Sequence, residues 1–358
     1  MKELIKQKNN KRRKERIWIV VVVLLLASIF AGCYAINKLT AFQHVSLDRS
    51  DEALGIEDQR NPIEETKPTP TKEEQVNDET NKWNGKIVNI ALFGLDRRSS
   101  KEVARSDSIM ILTIDFQHNK IKLTSLMRDM DVPIEGHGTS KLNHAYAYGG
   151  AKLAIKTINQ NFGTDIRDYI AVDFFTLEKI IDSIGGVPIN VKEKEIKLVN
   201  EYMNETSRIQ NKKPTYLKSS GFQTLNGMQA VSYARIRYVG NGDFERTERQ
   251  RTVLMAMINK AKEQGVSAVP SLLLEVTPYV ETTLERSDIL SLAYKYFKEG
   301  DMQIEQERFP LDGTWKSGRN RSGGWVMDVD MTKMKEVIRN YIYRDIDPTP
   351  DTDDSKTN

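Results

Sequence analysis

IVNIALFGLDRRSSKEVARSDSIMILTIDFQHNKIKLTSLM, residues 87–127, contains three short runs rich in β-branched and aliphatic side chains. The first ends in Gly and Asp, a polar loop follows, and QHNK (117–120) separates the second run from the third. Short apolar runs bounded by turn residues predict strands, and a four-residue polar break predicts a hairpin. Downstream, GGAKLAIKTINQNFG places Leu153, Ile155, Ile158 and Phe162 at helical spacing before Gly163, a usual helix stop. YIAVDF (169–174) predicts a strand, FTLEKIIDSIGG (175–186) a helix and VPINV (187–191) another strand. Strands alternating with helices predict an α/β fold, an α-β-α sandwich whose helices cover a central mixed sheet. Asn226 with Gln229 suits the start of a short helix. A longer helix begins near Asp243, which is suited to cap it. Residues 192–220 are polar and suggest a hairpin or flap.

The flanks differ in character. Residues 1–16 hold eight Lys or Arg against two Glu, and residues 17–36, IWIVVVVLLLASIFAGCYAI, carry no charge. Twenty helical residues span roughly 30 Å, one bilayer core. The expectation is a single transmembrane helix at 17–36, with the N-terminus cytoplasmic and the rest of the chain outside the cell. A cleaved signal peptide usually has a shorter apolar core, and FAGC ending at the sole cysteine, Cys33, only faintly resembles a lipidation site. Residues 37–82, acidic and Pro-rich, predict a flexible stalk, and residues 344–358 an acidic disordered tail. The domain between, 83–343, is long enough for one large core. It is mildly basic, too weakly so to argue for a nucleic-acid partner. With Cys33 inside the apolar span, the rest of the chain has no disulfide.

Three groups of polar residues could carry chemistry. YARIRYVGNGDFERTERQR, residues 233–251, has five arginines and no lysine. Arginine grips phosphate or carboxylate oxygens two at a time and keeps its charge. Arg246 would fall in the first turn of the helix from Asp243, with Arg249 and Gln250 one turn on. A cation there faces the positive end of the helix dipole, which makes sense if an anion binds. Glu245 and Glu248 allow a plainer reading, a salt-bridged surface. Asp96 closes the first strand and Asp107 opens the second, so antiparallel pairing would bring them together; two carboxylates suit Mg²⁺, and also ordinary turns. Arg128, Asp129, Lys141 and Asn143 lie where strand ends meet helix starts, the usual ligand position in α/β sheets. The chain has no G-x-S-x-G elbow and no P-loop, so a serine hydrolase or nucleotide-dependent enzyme has no support.

In order, GLDRR, ARSDS, SLMRDMDV, KLNHAYAYGG, IGGV, LNGMQAVSYARIRY and GDFERTERQR resemble the LytR-CpsA-Psr family of bacterial cell-wall enzymes, over approximately residues 89–257. The resemblance favours the anion site over the salt-bridged surface. It implies a transferase that moves a glycopolymer with its phosphate (wall teichoic acid, capsular polysaccharide or a related glycan) from a polyprenyl-pyrophosphate carrier to peptidoglycan. It further implies Mg²⁺ at Asp96 and Asp107, and no nucleotide. Arg128, Lys141, Arg235, Arg237, Arg246 and Gln250 match the family's pyrophosphate-binding and catalytic positions. The catalytic set is Arg128, Arg235, Arg237 and Asp107, with Arg98 and Arg105 as flanking motif arginines. The family's lipid chain lies in an apolar tunnel within the sandwich. Asp129 and Asp243 are candidate bases. Residues 192–220 and DGTWKSGRNRSGGW (312–325) are candidate glycan contacts. A non-catalytic module tethering anionic wall polymer, or a transcriptional attenuator, are the alternatives.

Overall fold

The computed structural model describes residues 43–57, 86–97, 104–237, 242–300 and 302–349. Among them a mixed sheet runs in the order β1 (Gln43–His44), β10 (Glu281–Thr282), β7 (Asp168–Asp173), β2 (Ile87–Asp96), β3 (Arg105–Asp115), β4 (Lys120–Leu126), β11 (Gln303–Phe309). The β2–β3–β4 meander is antiparallel as expected, β7 runs parallel to β2, and β11 runs parallel to β4 at the far edge.

Alternate residues of a strand face opposite sides of a sheet. Ala91, Phe93, Leu95, Ile109 and Ile111 are buried on one face, under α2 (His144–Phe162) and α9 (Met331–Arg344). The other face is covered less completely. Ile90 is buried there with Leu284 and with Leu292 of α8 (Arg286–Glu299), but Val88, Leu92, Leu112, Ile114 and Ile170 are only half-buried. A second core joins α3 (Phe174–Ser183), the hairpin of β8 (Val187–Val191) and β9 (Gly221–Leu225), α4 (Glu193–Gln210), α5 (Gly227–Ala234) and α6 (Asp243–Gln264). The short helix α7 (Val269–Val276) is apolar, yet none of its residues is buried.

The α/β sandwich with a mixed central sheet is therefore present, but several expectations change. VPINV is a strand outside the main sheet, paired with β9 in a two-stranded sheet. Residues 192–220 are mostly the helix α4, whose charged exposed face hid its buried Val199 and Met203. Residues 43–57, assigned to the stalk, form β1 at the sheet edge and α1 (Asp51–Leu54), with Leu54 fully buried. Elements of two and four residues leave no periodicity to detect. The start of the presumed tail is tied down as well. Asp345 pairs with Lys120 and Lys122, and the fully buried Lys122 also donates to the Tyr341 carbonyl at 2.6 Å. The expected transmembrane helix and single-pass topology find no counterpart among the described residues, where no helix is long and apolar enough to cross a membrane. Residues 17–36 themselves lie outside the described residues, as do 58–85 of the stalk region.

The capping box at α5 is as expected, with Asn226 accepting from the Gln229 amide and the Gln229 side chain accepting from the Asn226 amide. Gly227 follows because α5 crosses α3 at backbone contact: a Cβ there would lie 2.1 Å from the Glu178 carbonyl oxygen. Gly227→Ala is expected to destabilise the fold by roughly 1–3 kcal/mol, as overpacking against backbone does, read as a lower denaturant midpoint at unchanged slope.

Candidate functional site

β2 and β3 pair without interruption from Ile87–Asp115 to Gly94–Ser108, and the register then shifts by one so that Leu95 faces Ser106 and Asp96 faces Arg105. Asp107 is the residue left without a partner. A β-bulge re-aims a side chain at the end of a ladder, and here it delivers a carboxylate that is 8% exposed into a group of guanidiniums. Arg128, just beyond β4, donates to Asp107 Oδ1 at 2.6 Å. Arg237, three residues past α5, donates to Oδ2 at 2.9 Å. Arg246, in the first turn of α6, approaches Oδ2 at 3.4 Å and donates to the Asp107 carbonyl at 3.2 Å.

A second carboxylate completes the group. The N-cap of α6 is Gly242 at φ +63°, with no side-chain cap, rather than Asp243. Because glycine tolerates that backbone and makes the turn, Asp243 enters the helix as its first residue. Its carboxylate accepts from Arg128 Nε at 3.1 Å and Arg246 Nη2 at 2.9 Å, and lies 3.8 Å from Arg237 Nε. Asp129, also buried, lies 3.3 Å from Arg128 Nε and accepts from Lys141 Nζ at 2.6 Å. Among the described residues four cations thus face three carboxylates, which leaves one positive charge in excess. Arg246 Nε, on a side chain only 3% exposed, has no hydrogen-bond partner among the described residues.

Burial by itself would push the Asp107 carboxyl up, but Arg128, Arg246 and Arg237 outweigh it and hold the group below the usual carboxylate range. Burial likewise works against the Arg128 charge, and Asp107, Asp243 and Asp129 more than restore it. Burial, followed by Arg128 and Arg237, pulls Arg246 down to about 10 against the opposing pull of Asp243 and Asp107. It remains a cation at neutral pH.

The expected residues separate into those the fold collects and those it does not. Asp107, Arg128, Lys141, Arg237 and Arg246 converge. Arg235 does not join them: its guanidinium lies 5.1 Å from the Phe174 ring centre and 5.0 Å from that of Tyr202, and donates to Thr206 and Glu205 at 3.1 Å each. Residues i and i+2 share a side only in extended chain, and Arg235 has helical backbone as the C-cap of α5. Arg249 ties α6 to its surroundings through Glu195, Glu245 and the Ile236 carbonyl. Gln250 is half-buried and makes no hydrogen bond to the cluster among the described residues. Asp96 and Arg105 are exposed and opposed at the strand ends, and Arg98 lies outside the described residues.

Among the described residues there is no group of three or more His, Cys, Asp or Glu suited to a metal ion. Asp96 and Asp107, on neighbouring strand ends, supply the hard carboxylate oxygens that Mg²⁺ takes in small number. Both Asp107 oxygens are already held by guanidiniums. Carboxylate oxygens are the donor type Mg²⁺ takes, and among the described residues they form no closed protein cage.

Comparison with known proteins agrees with this architecture. The LytR_cpsA_psr family model matches residues 55–341, and the chain belongs to that family. It is 31% identical over 267 residues to Regulatory protein MsrR of Staphylococcus aureus, covering 74% of this chain and 76% of the relative. It is 28% identical over 311 residues to the polyisoprenyl-teichoic acid–peptidoglycan teichoic acid transferase TagU of Bacillus cereus, covering 84% and 89%. Two solved structures share the fold at 24% identity, each covering 84% of this chain and 99% of its own: TagT bound to LI-WTA, TM-score 0.60, and TagT (YwtF) with bound octaprenyl pyrophosphate lipid, TM-score 0.57.

Asp107→Asn removes the charge that holds three guanidiniums together and is expected to cost about 3 kcal/mol. A carboxyl held low contributes stability above its unfolded pKa of about 3.9 and loses it as pH falls through the lower folded value. Chemical denaturation from pH 7 down to 2 should therefore show wild type losing stability below about pH 4, with Asp107→Asn lacking that part of the slope.

Proposed function

We propose that this chain is a phosphotransferase that moves a glycopolymer with its phosphate from a polyprenyl-pyrophosphate carrier to peptidoglycan, releasing polyprenyl phosphate. The observation that carries this reading is the guanidinium cluster around the buried Asp107, with its excess positive charge and a buried Arg246 Nε that has no hydrogen-bond partner among the described residues. A buried donor without an acceptor is costly and calls for a partner. A pyrophosphate supplies acceptor oxygens and negative charge together. TagU, a relative, is named as a teichoic acid transferase, and TagT, a fold neighbour, holds octaprenyl pyrophosphate. The glycan class is teichoic acid, capsular polysaccharide or a related polymer.

Phosphoryl transfer depends mostly on positioning and charge neutralisation. Arg128, Arg237 and Arg246 exchange their Asp107 contacts for phosphate oxygens and neutralise the charge on the transferred group and on the departing polyprenyl phosphate. Asp243, bonded to Arg128 and Arg246, keeps both aligned as Asp107 is displaced. Asp96 and Asp107 would hold Mg²⁺, which adds charge neutralisation at the pyrophosphate. No nucleotide is needed, because the pyrophosphate linkage carries the driving force. The half-buried apolar face of Val88, Leu92, Leu112, Ile114 and Ile170 suits the isoprenoid chain, which needs apolar surface not already filled by core side chains.

The test incubates the full chain with Mg²⁺, a lipid-linked pyrophosphate glycan and peptidoglycan oligomers, and follows the phosphodiester-linked product by mass spectrometry. Arg237→Ala and Asp107→Ala are each expected to lower turnover at least about 100-fold, the scale of one lost charge-stabilising contact. Normal turnover in either variant removes the site from the reaction. Donor binding with neither product nor polyprenyl phosphate released makes the chain a tether for the polymer.

A further inference from the structure

An aromatic arc borders the guanidinium cluster. Phe244 follows Asp243 in the first turn of α6, and its ring centre lies 5.6 Å from that of Trp315. Trp315 in turn meets Trp325 edge to face at 6.3 Å. The two tryptophans stand on a hairpin of β12 (Trp315–Arg319) and β13 (Trp325–Val329), Trp315 opposite Val329 at one end and Trp325 opposite Arg319 at the other. Trp325 is 44% exposed, yet its Nε1 donates to Ser317 Oγ at 2.7 Å, which fixes the plane of the indole. The hairpin is anchored to the site itself, since the Met327 amide donates to the Asp129 carbonyl at 2.9 Å. From the indole a continuous line of contacts reaches the phosphate site. Lys141 Nζ is 5.8 Å from the Trp325 ring centre and 2.6 Å from Asp129 Oδ1, and Asp129 Oδ2 is 3.3 Å from Arg128 Nε.

An exposed indole is costly to leave in water, and one held rigid by its own N–H beside a polar site is built to receive a flat, amphipathic partner. A pyranose ring is such a partner: one face of C–H bonds packs on the indole while the hydroxyls stay in water. The proposed transfer offers two sugars, and the two faces of the sheet distinguish them. An in-line displacement brings the acceptor hydroxyl in opposite the leaving group. The apolar surface proposed for the isoprenoid is the face of Val88, Leu92, Leu112 and Ile114. Phe244 and Trp315 pack instead on the core of Phe93, Leu95 and Ile109, on the other face. The hairpin also carries Lys316, Arg319 and Arg321, which complement the carboxylates of peptide branches on a peptidoglycan strand.

We propose that Trp325, oriented by Ser317 and backed by Trp315, is the stacking platform for an amino-sugar ring of the acceptor peptidoglycan strand. This rests on the phosphotransferase reading above. The full chain and its Trp325→Ala and Trp325→Phe variants are compared in two assays. In steady-state transfer, Trp325→Ala is expected to raise KM for peptidoglycan oligomers roughly tenfold, the scale of one stacked aromatic contact. KM for the lipid-linked donor stays unchanged, and Trp325→Phe recovers most of the loss. In calorimetric titration of peptidoglycan oligomers without donor, the alanine variant binds about tenfold more weakly than wild type. The titration reads the platform even if wild type makes no product, an outcome that defeats the phosphotransferase reading alone. A rise in donor KM instead of acceptor KM, unchanged oligomer binding in Trp325→Ala, or equal losses in both variants with a lowered thermal midpoint would each overturn the platform.

Discussion

Three guanidiniums drawn from separate parts of the chain cannot gather around one point unless something negative stands between them. Asp107 is that charge. Its two oxygens and its carbonyl hold Arg128 from the end of β4, Arg237 from the α5–α6 connection and Arg246 from the first turn of α6. Asp243 bonds two of the same guanidiniums from the helix side. Removed from water, like charges repel strongly and unpaired ones are expensive, so the sheet and the second core are joined at this point by charge as well as by apolar contact. The same arrangement keeps three cations poised where a more highly charged anion can replace a single carboxylate.

The sheet serves its two faces differently. Under α2 and α9 its side chains are close-packed and the core is complete. On the α8 side the aliphatic residues of the sheet are only half-buried. A fold that packs one face to crystal-like density and leaves the other loosely covered has apolar surface to offer a ligand without opening its core. The arginine cluster lies at the strand ends, where ligands of α/β sheets usually bind, and the aromatic hairpin stands on the packed side.

Burial sets the electrostatics of this site as much as proximity does. Asp107 stays ionised although desolvation opposes it, and Arg246 is weakened because desolvation and two neighbouring cations act together. A cation weakened in that way, with a donor left over, gains more from a phosphate oxygen than a solvated one would.

The β2–β3–β4 meander, α2 with its stop at Gly163, the capping box at Asn226 and the motif positions of Asp107, Arg128, Lys141, Arg237 and Arg246 were legible in the chain. Each depends on local periodicity, local capping or an ordered set of motifs, and these survive without knowledge of distant contacts. The bulge that isolates Asp107, the exchange of Asp243 from cap to ion-pair partner, the aromatic seat of Arg235 and the recruitment of β1 and β11 to the sheet edges were not. Those outcomes turn on a one-residue register shift, on a glycine at positive φ, on helical backbone at Arg235, and on pairing between segments more than 150 residues apart. The sequence by itself determined which residues carry charge, which strands and helices form, and the family to which the chain belongs. Only the tertiary structure decided which charges meet, because long-range pairing and burial select among side chains that local pattern leaves equivalent.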